Sequence, residues 1–294
     1  MSEFLSQIVQ LIFSGLTIGS IYALIAIGFV ITYNITGILN FAQGEFAMLG
    51  ALITISLVSA GLPKILAIVL AIGIVFLVGS MFERFAIYPA RNSTVVTLII
   101  ITIAVSIALR GIALLIWGTE PKSLAPFTSG DPLSILGAVI QPQSLWAISV
   151  TIVSLILMYV FFEKSYMGKA VTACVVNRQA ARLMGIRPER MSLIAISISA
   201  ALGAVGGIII APISGATYSM GLMLGMKAFI AAVIGGISNA PAAIAGAMII
   251  GLLESFTEGL WTSGYKDAVS FGVLILVLFV MPNGILSKVS GKRV

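Results

Sequence analysis

The segment EKSYMGKAVTACVVNRQAARLMGIRPER, residues 163–190, sets the orientation of everything around it. It carries six Lys or Arg side chains against two Glu, and it separates two long apolar runs. In membrane proteins, short connections rich in Lys and Arg remain on the cytoplasmic side. If the apolar runs cross a membrane, this basic segment is therefore cytoplasmic.

The same segment predicts a short amphipathic helix. Asn177 can cap a helix start, Gly185 suits the position after a helix end, and Pro188 prevents continuation. Arg178 and Arg182 lie one turn apart on a cationic face. The apolar stripe consists of Ala173, Val176, Ala180, Leu183 and Met184. This helix either belongs to a solvated loop that only sets topology or docks on a cytoplasmic partner.

The composition is that of a helical membrane protein. Of 294 residues, 60% are hydrophobic and 9% are charged, whereas soluble domains are about 25% charged. The apolar runs have the length of membrane helices, about twice that of barrel strands. We therefore predict an all-α polytopic protein with about eight or nine membrane segments, two of them interrupted. We expect membrane lipid to surround the protein. The net charge of +6 is explained by the positive-inside arrangement and predicts no nucleic-acid binding.

The residue types disfavour catalysis in this chain. There is no histidine, and Cys174 is the single cysteine. No phosphate-binding loop of the form GxxxxGK[ST] occurs, and no nucleophile is placed with a base. The sequence therefore predicts no enzyme, no catalytic residue, no metal site and no cofactor in this chain.

Two polar interruptions break the apolar runs. They read NITGILNFAQGEF at residues 34–46 and GGISNAP at residues 235–241, and they share the weak repeat GILN and GISN. The second makes residues 227–258 a broken or re-entrant helical hairpin. Irregular backbone inside a membrane is tolerated where it lines a cavity or packs in protein. Candidate residues of a solute path are Asn40, Gln43, Glu45 and Asn239. They could instead be helix caps.

Charge placement gives the remaining topology. With the basic segment inside, the tail containing Lys288, Lys292 and Arg293 is also inside, and the N-terminus is outside. Residues 118–144 then form the longest external loop. We interpret Arg110 as extending to the outer interface, and Glu254 as wetted near the outer end of its helix. Cys174 should react with thiol reagents from the cytoplasmic side only.

Three stretches resemble the membrane subunit of ABC importers of the branched-chain amino-acid permease (LivH-like) family. They are GSIYALIAIGFVITYNITGILNFAQGEFAMLGA at residues 19–51, NRQAARLMGI at 177–186, and SGYKDAVSFGVLILVLFVMPNGIL at 263–286. The resemblance covers nearly the whole chain. Thr172 departs from it, because a basic residue is expected there.

The resemblance implies one transmembrane permease domain, residues 1–294, in a bacterial inner membrane. It makes residues 164–190 the cytoplasmic coupling loop. The residues implied to contact the ATPases are Asn177, Ala180, Ala181, Leu183, Met184 and Gly185. The implied partners are a second, LivM-like permease rather than a second copy of this chain, two ATP-binding subunits that hold ATP and Mg, and an external solute-binding protein.

The expected cargo is a branched-chain or other hydrophobic amino acid. Similar permeases for urea, short amides or other small carboxylates form the nearest alternative. A stand-alone secondary transporter or channel is more remote, because few carboxylates lie within the apolar runs to bind a coupling ion. A membrane-embedded enzyme or structural subunit is disfavoured by the missing catalytic groups.

Overall fold

The structure, a computed structural model, describes residues 2–128, 130–135, 137–281 and 284–285. Its α-helices are α1 (Ser2–Thr36), α2 (Gln43–Ser59), α3 (Lys64–Phe82), α4 (Val95–Trp117), α5 (Pro142–Lys164), α6 (Tyr166–Val176), α7 (Arg178–Leu183), α8 (Pro188–Ser214), α9 (Met220–Gly235), α10 (Ala240–Leu260) and α11 (Lys266–Val280). A π-helical turn (Glu83–Ile87) extends α3, and a 3-10 turn (Ser263–Tyr265) precedes α11.

The all-α polytopic class is confirmed. Within the described residues, six helices are long and apolar enough to cross a membrane: α1, α3 with its π-helical turn, α4, α5, α8 and α10. Helices α2 and α9 are shorter, with 17 and 16 residues. At 1.5 Å per residue, α9 is about 24 Å long, less than the bilayer core. The helical path breaks at residues 37–42 and 236–239, where the sequence shows its polar interruptions.

The helices alternate in direction, so their ends gather at two opposite ends of the bundle. The loop end carries α6 and α7. There the Asn34 amide donates to the Ser238 carbonyl, and Arg91 pairs with Glu189. The hairpin end carries two short antiparallel strands, β1 (Leu133–Ile135) and β2 (Ala138–Ile140).

These strands were not predicted. They lie in the loop at residues 118–144, and Gln10 of α1 exchanges hydrogen bonds with the backbone of Val139. The same loop bonds to the segment that follows α8 through a bridge between Lys122 and Ala216. The loop is therefore fixed to the bundle at two places.

Helices α1, α2, α8 and α10 form the centre of the bundle, while α3, α4 and α5 surround it with exposed apolar side chains. The small residues of α8 indicate an interior helix, and the structure confirms this. A Cβ on Gly207 would overlap the backbone carbonyl of Ala47 in α2, and one on Gly50 would overlap Ala204 in α8. Glycine at these crossings lets α2 and α8 touch backbone to backbone.

We expect Gly207→Val to weaken the contact between α2 and α8. The added side chain must displace the backbone at Ala47, and overpacking of this kind typically costs about 1–3 kcal/mol. The measurement is the thermal unfolding midpoint of the detergent-solubilised protein. Gly73→Val is the matched control, because a Cβ there meets no heavy atom within 4 Å. Equal midpoints for the two variants would contradict this account of the crossing.

Candidate functional site

The first helix break turns back into the bundle. Gln43 Nε2 donates to the Ser199 carbonyl at 2.9 Å, and Ser199 Oγ lies 2.8 Å from both Gln43 Oε1 and the Gly28 carbonyl. Gly28 lies eight residues before the end of α1, about 12 Å along the helix. The first turn of α2 therefore begins inside the bundle, against the middle of α8.

Asn40 lies three residues before the start of α2, and Asn239 lies directly before the start of α10. Asn40 Oδ1 accepts from the Ala42 amide at 3.0 Å, and Asn239 Oδ1 accepts from the Ala242 amide at 3.4 Å. Asn239 is thus the N-cap of α10, whereas Asn40 closes a turn before Ala42, the N-cap residue of α2, and α2 has no side-chain cap. They differ in burial. Asn40 is 1% exposed, and its Nδ2 has no hydrogen-bond partner among the described residues, whereas Asn239 is partly exposed.

Glu45 and Arg110 form an ion pair between α2 and α4. Arg110 Nη2 and Ser106 Oγ each donate to Glu45 Oε1 at 2.9 Å. The interpretation of Arg110 as extending to the outer interface is wrong, because its guanidinium turns inward to this carboxylate. Glu45 lies inside the bundle and not at its mouth. It is 1% exposed and faces Ser106, near the midpoint of α4. A charge buried in a membrane needs a counter-charge. The sequence alone could therefore have indicated that a carboxylate and a guanidinium in separate apolar runs pair with each other.

A second buried network joins α1, α9, α10 and α11. Glu254 accepts from the Tyr22 hydroxyl at 2.8 Å, from Lys227 Nζ at 3.1 Å and from the Ser270 hydroxyl at 2.7 Å. Lys227 Nζ also lies 2.8 Å from Asp267 Oδ1. The prediction that Glu254 is wetted is wrong, because the residue is 2% exposed. This network fastens the last three helices to α1.

The basic loop contains the predicted capped helix as α7, which has only six residues, less than two turns. Asn177 Oδ1 accepts from the amides of Gln179 and Ala180 at 3.0 and 2.9 Å, and Gly185 has a φ of +83°. The large apolar side chains Val176, Leu183 and Met184 are more than 80% exposed. Because α6 and α7 meet at Asn177, the apolar residues form a patch over two helices rather than one continuous stripe.

Two small residues of the loop face inward. Ala181 is 4% exposed and packs in the core of its own chain, so its side chain is not available at the surface, unlike that of Ala180. Cys174 is 7% exposed, and burial raises the pKa of its thiol. Its predicted reactivity from the cytoplasmic side must therefore be low, because the thiolate is the reactive form.

A family model described as "Branched-chain amino acid transport system / permease component" matches residues 11–278. The chain belongs to this family. Its permease relatives include the high-affinity branched-chain amino acid transport system permease proteins LivH of Salmonella typhimurium and BraD of Pseudomonas aeruginosa. They are 35% and 33% identical over 310 and 308 residues, and each comparison covers the whole of both chains.

The structure of PsaBC from Streptococcus pneumoniae in complex with Fab is also similar, with a TM-score of 0.50 and 15% identity. The match covers 93% of this chain and 91% of that one. At this identity the likeness concerns the fold alone. The resemblance to branched-chain amino acid permeases is thus confirmed, and this family member is a multi-pass membrane protein within a multi-subunit transport system.

Serine substitutions separate capping from a role in the solute path. Serine retains the capping oxygen but removes the amide. We expect Asn40→Ser to lower solute uptake with little change in the unfolding midpoint, because it removes a buried amide with a free donor. Asn239→Ser keeps the cap of α10 and should lower uptake less than Asn40→Ser does, because Asn239 is partly exposed. Normal uptake with Asn40→Ser would remove Asn40 from the path, and normal uptake with Asn239→Ser would make Asn239 a cap alone.

Proposed function

We propose that this chain is the transmembrane permease subunit of an ATP-driven ABC importer and forms half of a path for branched-chain or other hydrophobic amino acids. The full-length match to LivH proteins at 35% identity carries the proposal. The alternative cargoes, namely urea, short amides and other small carboxylates, have no comparable support. A transporter acting alone is disfavoured, because the buried Glu45 and Glu254 are already paired with Arg110 and Lys227.

The proposed partners are a second, LivM-like permease, two ATP-binding subunits and an external solute-binding protein. ATP and Mg belong to the ATP-binding subunits. The exposed patch of Val176, Leu183 and Met184 supports docking of such a subunit, since apolar side chains outside the bilayer are stabilised by burial against protein. Ala180 lies beside them at the surface.

The proposed topology places the loop end in the cytoplasm of a bacterium, with nine membrane crossings, an external N-terminus and a cytoplasmic C-terminus. Among the described residues, the cations of the loop end are Arg84, Arg91, Lys164, Lys169, Arg178, Arg182, Arg187 and Arg190. Those of the hairpin end are Lys64, Lys122 and Lys266. This excess supports a cytoplasmic loop end. The predicted basic tail lies outside the described residues.

The proposed path includes Asn40, Gln43, Glu45 and Asn239. The depth of the first break supports the first three, because polar groups are brought to the middle of the bundle there. Asn239 lies at the loop end, close to Asn34, and would act at the cytoplasmic opening.

We expect Ala180→Glu to uncouple the permease from its ATPases. The new carboxylate would be buried without a partner in the proposed contact, which costs several kcal/mol. The variant should insert normally, fail to copurify with the ATPases and fail to stimulate ATP turnover. Gln179→Glu adds the same charge at the neighbouring exposed position and should retain both properties. Normal uptake by Ala180→Glu would leave the loop with a topological role only. Ala181→Glu is unsuitable for this test, because it would disturb the chain's own core.

Thiol labelling tests the topology once the buried thiol is removed. In a Cys174→Ala background, Lys169→Cys places an exposed thiol in the loop, and Glu120→Cys places one at the hairpin end. A membrane-impermeant maleimide should label Glu120→Cys in intact cells and Lys169→Cys only in inverted vesicles. The reverse result would invert the topology.

A further inference from the structure

A groove of about 320 Å³ opens beside the Glu45–Arg110 ion pair. The Arg110 guanidinium and the Ser106 hydroxyl form its polar corner, and Glu45 lies directly behind them. The volume is at the lower limit of small-molecule sites, about 300–1,000 Å³. The groove could therefore hold one small solute at the depth of the helix break.

The polar corner has unused hydrogen-bonding capacity. Among the described residues, the hydrogen bonds of Arg110 to Glu45 and Ser106 use Nη2 only. Arg110 Nε and Glu45 Oε2 also have no hydrogen-bond partner in the described part of the chain, but both atoms are buried. A guanidinium has five N–H donors and binds carboxylates through two of them. The Arg110 side chain is 24% exposed, so a ligand can reach it without breaking the existing pair.

The remaining walls are apolar. Ile103 and Ile107 of α4 face Leu222 and Met226 of α9 across the groove, and the rings of Phe29 and Phe41 close one side. Branched aliphatic side chains are stabilised by burial against such surfaces. Aromatic rings also attract ammonium groups through their faces.

We propose that this groove binds a zwitterionic amino acid with an apolar side chain, as a subsite of the translocation path. The ligand carboxylate accepts from the N–H groups of Arg110 that Glu45 and Ser106 do not engage. The ligand ammonium is attracted by the Glu45 carboxylate and the aromatic rings, and its side chain packs between α4 and α9. The proposal deepens the proposed function and rests on it, since it assigns the amino-acid specificity of the permease to particular residues.

Charge balance favours a zwitterion over an anion. Glu45 already neutralises Arg110, so a carboxylate without an ammonium would bring an unpaired negative charge into the bundle. A zwitterion adds no net charge and presents both signs to the pair. The groove should therefore reject 4-methylpentanoate, which lacks the amino group, and leucinamide, which lacks the carboxylate.

The buried network around Glu254 serves as the comparison, because its contacts join helices. Both oxygens of Glu254 have donors, supplied by Tyr22, Lys227 and Ser270. The Glu45–Arg110 pair instead borders a groove, and the Arg110 side chain is 24% exposed, against 9% for that of Lys227. The two pairs therefore supply matched test and control variants.

Ligand protection of a thiol at Ile107 tests the proposal. The complete complex carries Cys174→Ala and Ile107→Cys, and the rate of modification by a small methanethiosulfonate reagent is measured with L-leucine, 4-methylpentanoate or leucinamide. Leucine at about ten times its Kd should slow the reaction about tenfold, because only the free site reacts. The two analogues at the same concentration should have little effect. Ile116→Cys is exposed on α4 outside the groove and should show no protection.

Charge variants then identify the group that binds the ligand carboxylate. Glu45→Met combined with Arg110→Met removes both charges together and should abolish protection while ATPase association remains. Arg110→Lys keeps the ion pair but loses the forked donor geometry, so it should weaken protection while preserving assembly even if the double variant misfolds. Lys227→Met combined with Glu254→Met removes the other pair and should retain protection. Full protection with Arg110→Lys and with the first double variant would overturn the proposal.

ATP-driven leucine uptake by the same reconstituted preparation distinguishes failure of the proposed groove site from failure of the proposed importer function. Uptake without protection of Ile107→Cys would refute the groove and leave the proposed function intact. Protection without uptake would support the groove and refute the proposed importer function. Absence of both would refute both.

Discussion

Gln43 holds the start of α2 against Gly28 and Ser199, and the arrangement of the central helices depends on that contact. Its amide donates to and accepts from Ser199, whose hydroxyl also reaches the Gly28 carbonyl. A helix start inside a bilayer exposes amides that lipid cannot satisfy. Here protein groups supply the partners, so the break can lie at depth. Glycine at position 28 leaves room for this contact, since a Cβ there would overlap the Gln43 side chain.

Local features of the fold could be predicted from the sequence, because each depends on neighbouring residues. The capping role of Asn177, the positive φ of Gly185 and both helix breaks depend on residue type and spacing over a few positions. The direction in which a helix faces depends on the whole bundle. The family resemblance therefore placed Ala180 and Ala181 together at a surface, although α7 turns Ala181 into the core.

The candidate site was less predictable, because its main contact joins residues far apart in the sequence. Glu45 and Arg110 are 65 residues apart, and Lys227 and Glu254 are 27 apart. Each charge taken alone fits an interfacial position, and only the packing of helices shows that the two members of each pair meet. The useful signal was the presence of acidic and basic residues in separate apolar runs, because a bilayer makes each unpaired charge costly.

Helix α8 connects the loop end to the helix break without an intervening flexible segment. It begins at Pro188, directly after the loop, and its Glu189 pairs with Arg182 of α7 and Arg91 near α4. Ser199 lies eleven residues after Pro188 on the same helix, about 16 Å from the helix start. A displacement of α7 by an ATPase would thus reach Gln43 through one rigid element. Because Gln43 and Glu45 share the first turn of α2, such a displacement would also move the carboxylate that pairs with Arg110. In the proposed importer, this chain of contacts gives ATP-driven motion a physical route to the groove.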